Sequence, residues 1–355
     1  MKFALSGYWG AGNLGDESIL AGTLAALRKC GVEPAVLSAN PALTREQHGV
    51  AAFHRYRPRE IARALRSAAL LLSGGGGLLQ DATSLRSLLY YLFVLRLARR
   101  RGVPTMLFAQ GIGPLRRRIS RALVRREAEA ARSITVRDRA SRELLEQCGV
   151  RCEIEVTADA SFLLDPAAEC ASGQASTMLR DLRRPLIGAA LRPWGDMQWV
   201  GQVSEALRRA SDLLGGTIAF LTFDRSHDYP LAERLARQCE GRAVVVSPRT
   251  PGEMLAAFSC LDLVVALRLH GAIFSISAGR PLVMLSYDPK CDAFCREAAL
   301  DDPLPIASLT SERFVASMMR CWDERHQRAA AAEAAGRRMR SRAERNIELA
   351  LQAAS

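Results

Sequence analysis

Apolar positions fall into short continuous runs, separated by longer stretches with helical periodicity. In the first half of the chain the apolar runs predict buried strands at residues 2–8, 35–39, 68–73, 105–110, 133–137 and 153–157. Helices are predicted between them at 17–30, 58–66, 83–101, 117–131 and 138–148. Continuous apolar strands that alternate with helices are typical of a parallel sheet covered on both faces. We therefore predict an α/β, Rossmann-like lobe over residues 1–165.

The alternation stops at residues 166–184, which predict a linker, and then resumes. The second set of strands is predicted at 185–191, 217–222, 243–247, 261–267 and 281–286, with helices at 197–213, 228–239, 251–258, 270–278 and 310–323. Residues 185–323 are thus expected to form a second Rossmann-like lobe, and residues 324–355 a C-terminal helix. The simplest architecture is two such lobes that face each other across a cleft.

The composition of the chain indicates where the protein works and which kinds of ligand it binds. No apolar run approaches the ~20 residues of a membrane span, and the chain enters its first strand directly, so we expect a cytoplasmic protein. Nine cysteines without a CxxC pair predict reduced thiols, and no His/Asp/Glu cluster has the spacing of metal ligands, so neither a metal nor another cofactor is predicted. The formal charge of +12 favours anionic partners.

The most informative stretch is Arg268, Leu269 and His270, which lies between a predicted buried strand and a helix of small residues. Ligands of open α/β sheets bind at this carboxyl-end edge. Arginine holds planar oxyanions with two parallel hydrogen bonds, and histidine transfers protons near neutral pH. The stretch predicts an anionic substrate and a proton-transfer step; the alternative for His270 is a structural, hydrogen-bonded histidine.

Further cations follow other predicted strands. Lys290 follows the strand after the histidine-bearing helix, and it is one of only three lysines among 49 basic residues. Arg137 ends an earlier strand and is a second candidate for anion binding; its alternative role is an ion pair with Asp138 or Asp159.

Glycine-rich loops end the strands of the first lobe. The sequence GAGNLG at 10–15 matches a dinucleotide fingerprint, but Asp16 would lie where the pyrophosphate sits, and no acidic residue ends the second strand to hold a ribose. Asp16 is either a base aimed at the cleft or a first-turn acid favoured by the helix dipole. A run of four glycines at 74–77 is predicted to end the third strand and to allow close approach of an anion or a sugar. The candidates for the acceptor side are Gly12, Asn13, Gly75, Gly76, Asp81, Arg192 and Trp194.

An arginine-rich stretch with interleaved apolar residues occupies positions 116–126. It indicates contact with an anionic membrane surface or a lipid-linked diphosphate. A solvated charged helix face is the equally open alternative.

Seven motifs, in this order and spacing, resemble the polysaccharide pyruvyl transferase family, and within it the bacterial CsaB type that modifies cell-wall polysaccharide. They are GYWGAGNLGDE (7–17), SGGGGLLQD (73–81), QGIGP (110–114), VRD (136–138), LRPW (191–194), RLHG (268–271) and SYDPK (286–290). The resemblance implies a glycosyltransferase-B-like pair of lobes, phosphoenolpyruvate as the donor, and a pyruvate ketal on a sugar as the product. For the CsaB type it implies N-acetylmannosaminyl-N-acetylglucosamine on undecaprenyl diphosphate as the acceptor, and work at the inner face of the cell membrane. It also marks Arg268, Leu269 and His270 as the donor-binding element, with Arg137 as another donor contact.

The residue chemistry agrees with this donor, because the carboxylate and phosphate of phosphoenolpyruvate need several cations, which Arg137, Arg268 and Lys290 can supply. Ketal formation also needs an acid and a base, and we assign these roles to His270 and Asp16, in an order that the sequence leaves open. One alternative is a nucleotide-sugar glycosyltransferase on the same two-lobed plan. Another is a non-catalytic basic module, but no nucleic-acid motif appears, so nucleic acid is not a predicted partner. The sequence leaves the acceptor sugar and the oligomeric state open.

Overall fold

The computed structural model describes residues 1–82, 84–165 and 173–355. The chain divides into two compact units: unit 1 comprises Met1–Leu164 and Met339–Ser355, and unit 2 comprises Asp165–Arg338. Each unit is built on one parallel sheet flanked by helices. The predicted class, two α/β lobes, is confirmed.

Unit 1 contains a seven-stranded parallel sheet in the order β3-β2-β1-β4-β5-β6-β7. Its strands are β1 Lys2–Ser6, β2 Glu33–Ser38, β3 Ala51–His54, β4 Leu70–Leu79, β5 Thr105–Ile112, β6 Ser133–Val136 and β7 Glu155–Val156. Its helices are α1 Leu14–Lys29, α2 Pro41–His48, α3 Pro58–Leu65, α4 Leu85–Arg100, α5 Arg118–Glu129 and α6 Arg139–Gln147, followed by a 3₁₀ turn at Ala160–Leu163. The strand order reverses between β1 and β4, and the carboxyl ends of strands at such a reversal form the ligand-binding crevice of doubly wound sheets.

Unit 2 contains a six-stranded parallel sheet in the order β10-β9-β8-β11-β12-β13. Its strands are β8 Leu186–Ala190, β9 Thr217–Leu221, β10 Ala243–Val246, β11 Leu263–Ala266, β12 Leu282–Ser286 and β13 Leu304–Pro305. Its helices are α7 Gln174–Arg180, α8 Trp199–Leu214, α9 Arg225–Gln238, α10 Pro251–Ser259, α11 Leu269–Ser277, α12 Pro289–Ala298 and α13 Ser311–Asp323. Here the reversal lies between β8 and β11, so the residues that follow these two strands border the crevice.

A single long helix, α14 at Arg325–Ala354, ends the chain. Its last part belongs to unit 1, where the buried Asn346 accepts a hydrogen bond from the Thr157 hydroxyl at 2.7 Å and donates one to the Ala158 carbonyl at 3.1 Å. Its first part belongs to unit 2, where Arg338 donates to the Ala298 carbonyl. The predicted tail helix therefore forms, and it contributes to both units.

Three expectations need correction. The sequence does not predict the edge strands β3 and β13 or the helices α2 and α12. A short edge strand such as β3 lacks a continuous apolar run, because only one of its residues, Ala52, is buried. Part of the predicted linker, at Gln174–Arg180, is a helix that packs on α10, while residues 166–172 lie outside the described part. Each helix that the sequence predicts begins and ends within a few residues of its predicted position.

The glycine run is the third correction. It does not follow the third predicted strand but lies inside it, because β4 continues through Gly74 to Leu79. Gly74 pairs with Phe108 of β5, and a Cβ there would lie 1.9 Å from the Phe108 carbonyl oxygen. The glycines therefore permit close strand pairing as well as an open crevice edge.

Among the described residues, no helix combines the length and the apolar character that crossing a bilayer requires. The eight cysteines of that part of the chain are free thiols.

Candidate functional site

Arg268 lies at the strand reversal of unit 2. It caps the amino end of α11 directly after β11, and its backbone N–H donates to the carbonyl of Ala190, the last residue of β8. Gly271 lets the first turn of α11 approach β8 closely, since a Cβ there would lie 2.7 Å from the Ala190 Cβ. The sequence thus fixes the arginine at the crevice edge through backbone contacts.

Asp228, on α9, holds the Arg268 side chain. Its carboxylate forms a buried ion pair with the Arg268 guanidinium, with 1% and 10% of the two side chains exposed. The same carboxylate accepts hydrogen bonds from the backbone N–H groups of Phe223 and Asp224, both at 3.0 Å. Asp228 therefore orients Arg268, and sequence analysis missed it because the two residues are 40 positions apart.

His270 and Leu269 occupy the first turn of α11, next to Arg268, and both are half-buried. Lys290 lies in the first turn of α12, where its backbone N–H donates to the Asp288 carboxylate at 2.9 Å. Because β11 and β12 pair in parallel, both helix starts lie at the same edge of the sheet. The structure therefore brings three of the predicted donor residues, Arg268, His270 and Lys290, to neighbouring strand ends of unit 2.

An aromatic pair lies beside this edge. The ring centres of Trp194 and Tyr287 are 4.3 Å apart, and the Arg192 guanidinium lies 5.9 Å from each ring. Burial raises the pKa of Tyr287, against the opposing effect of Arg192, so its hydroxyl stays protonated and can donate a hydrogen bond. Trp194 is 42% exposed, so its ring is accessible to a ligand.

In unit 1 the loop after β1 leads into α1. Gly12 has a φ of +82°, with open space where a side chain would be. The Asn13 carboxamide caps α1 by accepting from the Gly15 N–H at 3.0 Å. Glu17, which sequence analysis did not single out, is buried and accepts from the Gly10 N–H at 2.8 Å; burial raises its pKa in spite of that bond. Glu17 thus stabilises the loop, while Asp16 is half-buried at the loop's edge.

Asp16 lies against the glycines of β4. A Cβ on Gly76 would stand 3.1 Å from the Asp16 carboxylate, and one on Gly75 would stand 2.1 Å from the Cγ2 of Ile19. Both glycines have φ above +80°, a conformation that other residues rarely adopt. The glycines therefore make room for α1 and bring the Asp16 carboxylate to the crevice edge of unit 1.

Arg137 is buried within unit 1 and engaged by carboxylates. Its guanidinium lies 2.9 Å from Asp159 and 3.5 Å from Asp138, and it rests on the bare backbone of Gly111. Burial opposes its charge, but the two carboxylates outweigh burial and raise its pKa; Asp16 adds to this effect. The ion pair that the sequence offered as an alternative therefore forms, and Arg137 belongs to unit 1, whereas Arg268 belongs to unit 2.

Asp81 has a local structural partner. Its carboxylate oxygens accept from the backbone N–H groups of Arg116 at 2.8 Å and Arg117 at 3.0 Å. Burial alone would raise the pKa of Asp81, but these donors lower it. The Asp81 carboxylate therefore stabilises the loop residues that lead into α5.

Solved structures of similar architecture include three that were determined with UDP or a UDP-sugar bound. Anabaena HepE in complex with UDP and glucose has a TM-score of 0.64 at 14% identity, covering 99% of both chains. The S. aureus MnaA–UDP structure has a TM-score of 0.69 at 13% identity over 98% of this chain and 94% of that one. The UDP-GlcNAc 2-epimerase of Neisseria meningitidis has a TM-score of 0.65 at 9% identity, covering 99% and 100%. Identities this low establish a shared fold of the glycosyltransferase-B type and no more.

The fold and the cationic strand ends thus define a protein of the glycosyltransferase-B structural class with a candidate anion site in unit 2. A model of the polysaccharide pyruvyl transferase family matches residues 13–289, from the first glycine loop to the start of α12. This chain therefore belongs to the polysaccharide pyruvyl transferase family. No curated protein sequence matches it significantly.

Proposed function

We propose that this protein transfers pyruvate from phosphoenolpyruvate onto two hydroxyls of a sugar, forming a ketal and releasing phosphate. The observation that carries the proposal is the Asp228-held Arg268, which stands next to His270 at the strand reversal of unit 2. Lys290 starts the helix after the neighbouring strand and supplies a second cation for the same edge. Two cations and a proton-carrying imidazole match a donor that has a carboxylate, a phosphate and a methylene that needs a proton.

The chemistry balances with two proton transfers. The donor methylene gains a proton and becomes methyl, which makes C2 electrophilic. Two sugar oxygens bond to C2, and the bond between C2 and the phosphate oxygen breaks. Of the two hydroxyl protons, one replaces the proton given to the methylene and the other leaves with phosphate. We assign His270 as the acid and Asp16 as the base that receives a hydroxyl proton, while Arg268 stabilises charge on the departing phosphate.

The test is turnover of phosphoenolpyruvate with lipid-linked disaccharides, followed by phosphate release and by mass spectrometry of the ketal. His270→Ala should lower turnover by about 10²–10⁴-fold while it largely keeps donor binding measured by calorimetry. His326→Ala, an exposed histidine near the start of α14, is the matched control and should keep full turnover. A near-wild-type rate in His270→Ala would refute the assigned role.

A second candidate, a nucleotide-sugar glycosyltransferase, is supported by structural neighbours that were crystallised with UDP. The two activities differ in product. Release of UDP from a nucleotide sugar, with no phosphate from phosphoenolpyruvate, would favour this second candidate and contradict the first.

We propose that the acceptor is a saccharide on a lipid diphosphate, as in the CsaB type. Because such an acceptor lies in a membrane, the protein would act at an anionic membrane surface. The support is that α4 and α5, which pack together in unit 1, expose apolar side chains: Leu89 (44% exposed), Phe93 (47%) and Ile119 (64%). The exposed arginines of these helices are Arg86, Arg96, Arg100, Arg118, Arg121, Arg125 and Arg126. Apolar side chains flanked by cations are typical of helices that lie in a bilayer interface.

Co-sedimentation with vesicles tests this surface. The protein should bind phosphatidylglycerol vesicles more strongly than phosphatidylcholine vesicles, and Ile119→Ser should weaken that binding several-fold. Leu213→Ser is the matched control, since Leu213 is also 64% exposed but lies on α8 of unit 2. Equal binding to both vesicle types, or equal loss in both variants, would contradict the proposal.

A further inference from the structure

Arg55, the residue after β3, lies inside a cage of tyrosine rings in unit 1. Its guanidinium carbon lies 5.2 Å from the ring centre of Tyr8, 4.8 Å from Tyr56, 5.2 Å from Tyr90 and 5.8 Å from Tyr91. The cage uses four of the six tyrosines of the chain. Tyr8 follows β1, Arg55 and Tyr56 follow β3, and the other two rings come from α4, so the cage lies at the carboxyl-end edge of the sheet.

The cation at its centre has an unusual environment. Arg55 is only 2% exposed, and within the described residues no carboxylate pairs with it. Its guanidinium donates to the Tyr91 hydroxyl at 3.3 Å and also hydrogen-bonds with Tyr56 and Tyr90, while its Nε is buried with no partner in that part of the chain. Burial disfavours the charge of the guanidinium, and the negative faces of the four rings favour it, so the rings take the place of a counter-ion.

The cage opens to solvent on one side. Tyr8 is 42% exposed and Tyr56 is 61% exposed, whereas Tyr91 is buried. The rings contact one another edge-on, with 5.2 Å between the centres of Tyr56 and Tyr90 and 5.0 Å between those of Tyr90 and Tyr91. Two rigid aromatic faces with polar tips are thus held at the surface by a buried cation.

The cage also adjoins the acidic group of unit 1. The Asp16 carboxylate interacts electrostatically with both Tyr91 and Arg137. Tyr8 lies in the loop that joins β1 to α1, and Asp16 lies in the first turn of α1, so this exposed ring borders the same crevice edge as Asp16, the residue proposed to receive the proton of an acceptor hydroxyl.

We propose that Tyr8 and Tyr56 form a saccharide-binding subsite, in which a sugar ring of the acceptor lies against their faces and hydrogen-bonds to their hydroxyls. Aromatic faces with polar tips suit a ligand that is apolar on one face and rich in hydroxyls at its edge. Arg55 is a positioning residue that acts through the rings. The inference rests on the proposed function, since it supplies the acceptor side of that reaction.

Binding to isolated sugars tests the subsite without turnover. The probes are the methyl glycosides of N-acetylglucosamine, N-acetylmannosamine, glucose and galactose, observed by saturation-transfer NMR with the full chain. At least one glycoside should show transfer with the wild type, and Tyr8→Ala and Tyr56→Ala should each reduce it at least fivefold. Tyr229→Ala, which removes a tyrosine near Arg225 in unit 2, is the matched control and should leave transfer unchanged. No transfer with any glycoside, or equal transfer in the cage variants, overturns the proposal.

Steady-state kinetics tests the role of Arg55. Arg55→Gln should raise the KM for the acceptor at least tenfold with the KM for phosphoenolpyruvate within twofold, and Arg55→Lys should restore part of the loss. Equal changes in both KM values would indicate a merely structural role; if Arg55→Gln does not fold, the exposed tyrosine variants decide.

Phosphoenolpyruvate binding, measured by calorimetry, separates this proposal from the proposed function. Donor binding without glycoside binding refutes the subsite alone. Glycoside binding that depends on the cage, without donor binding, refutes the proposed function and supports the subsite.

Discussion

Removing the charge of Asp228 gives the sharpest test of the ion pair that holds Arg268. Asp228→Asn keeps the size of the side chain and one acceptor oxygen for the backbone N–H groups of Phe223 and Asp224. It leaves the Arg268 guanidinium, whose side chain is 10% exposed, without its counter-charge. A unit-charge pair about 4 Å apart gains about 4 kcal/mol at an effective dielectric constant of about 20, and loss of one partner of a buried pair costs about 3–5 kcal/mol. We therefore expect a loss of about 3 kcal/mol.

Urea unfolding followed by tryptophan fluorescence measures this loss, since Trp194, Trp199 and Trp322 all report on unit 2. With a slope of about 2 kcal/mol per M, the midpoint should fall by about 1.5 M. The double variant Asp228→Asn/Arg268→Met should recover most of the stability, because it no longer buries an unpaired charge.

Two results would refute the reasoning. A loss below about 1 kcal/mol in Asp228→Asn would mean that solvent already screens the pair. A double variant whose loss equals the sum of the two single losses would mean that the residues do not interact.

Three further outcomes follow from the packing. Gly75→Ala should destabilise unit 1 by about 3 kcal/mol in thermal denaturation, because the cost of the positive φ and the clash with Ile19 add together. Gly102 has a φ of +73° and open space around it, so Gly102→Ala should lose only the free energy of the unfavourable φ, about 1 kcal/mol. Asn346→Ala should cost about 2 kcal/mol in urea unfolding, because it removes the side-chain donor to the Ala158 carbonyl and leaves the buried Thr157 hydroxyl only its longer bond to the Val136 carbonyl. A cost near zero would mean that α14 does not stabilise unit 1. Alkylation with iodoacetamide at pH 8, followed by peptide mass spectrometry, should modify the exposed Cys30 quickly. Four buried thiols should react only after unfolding, because burial raises their pKa to about 11 or 12 and keeps them protonated. Equal rates for Cys30 and these four would contradict their burial. These four are Cys239, Cys291, Cys295 and Cys321.

Local sequence pattern is enough to predict the two-lobed parallel α/β fold and to place Arg268, His270 and Lys290 at strand ends. These features are local: a continuous apolar run predicts a buried parallel strand, and the next residues must lie at its carboxyl end. The short edge strands were missed because a strand with few buried residues carries no apolar run.

Which side chains contact one another depends on how distant segments of the chain pack together. Asp228 reaches Arg268 from a different helix, Asp159 engages Arg137, and Arg55 gathers tyrosines from three separate segments. The glycine run, too, became a paired part of β4 only because β5 lies beside it. Such contacts join residues that are far apart in the chain, so periodicity and local motifs carry no signal for them. They form when the strands assemble, because a buried charged or polar group without a partner costs free energy.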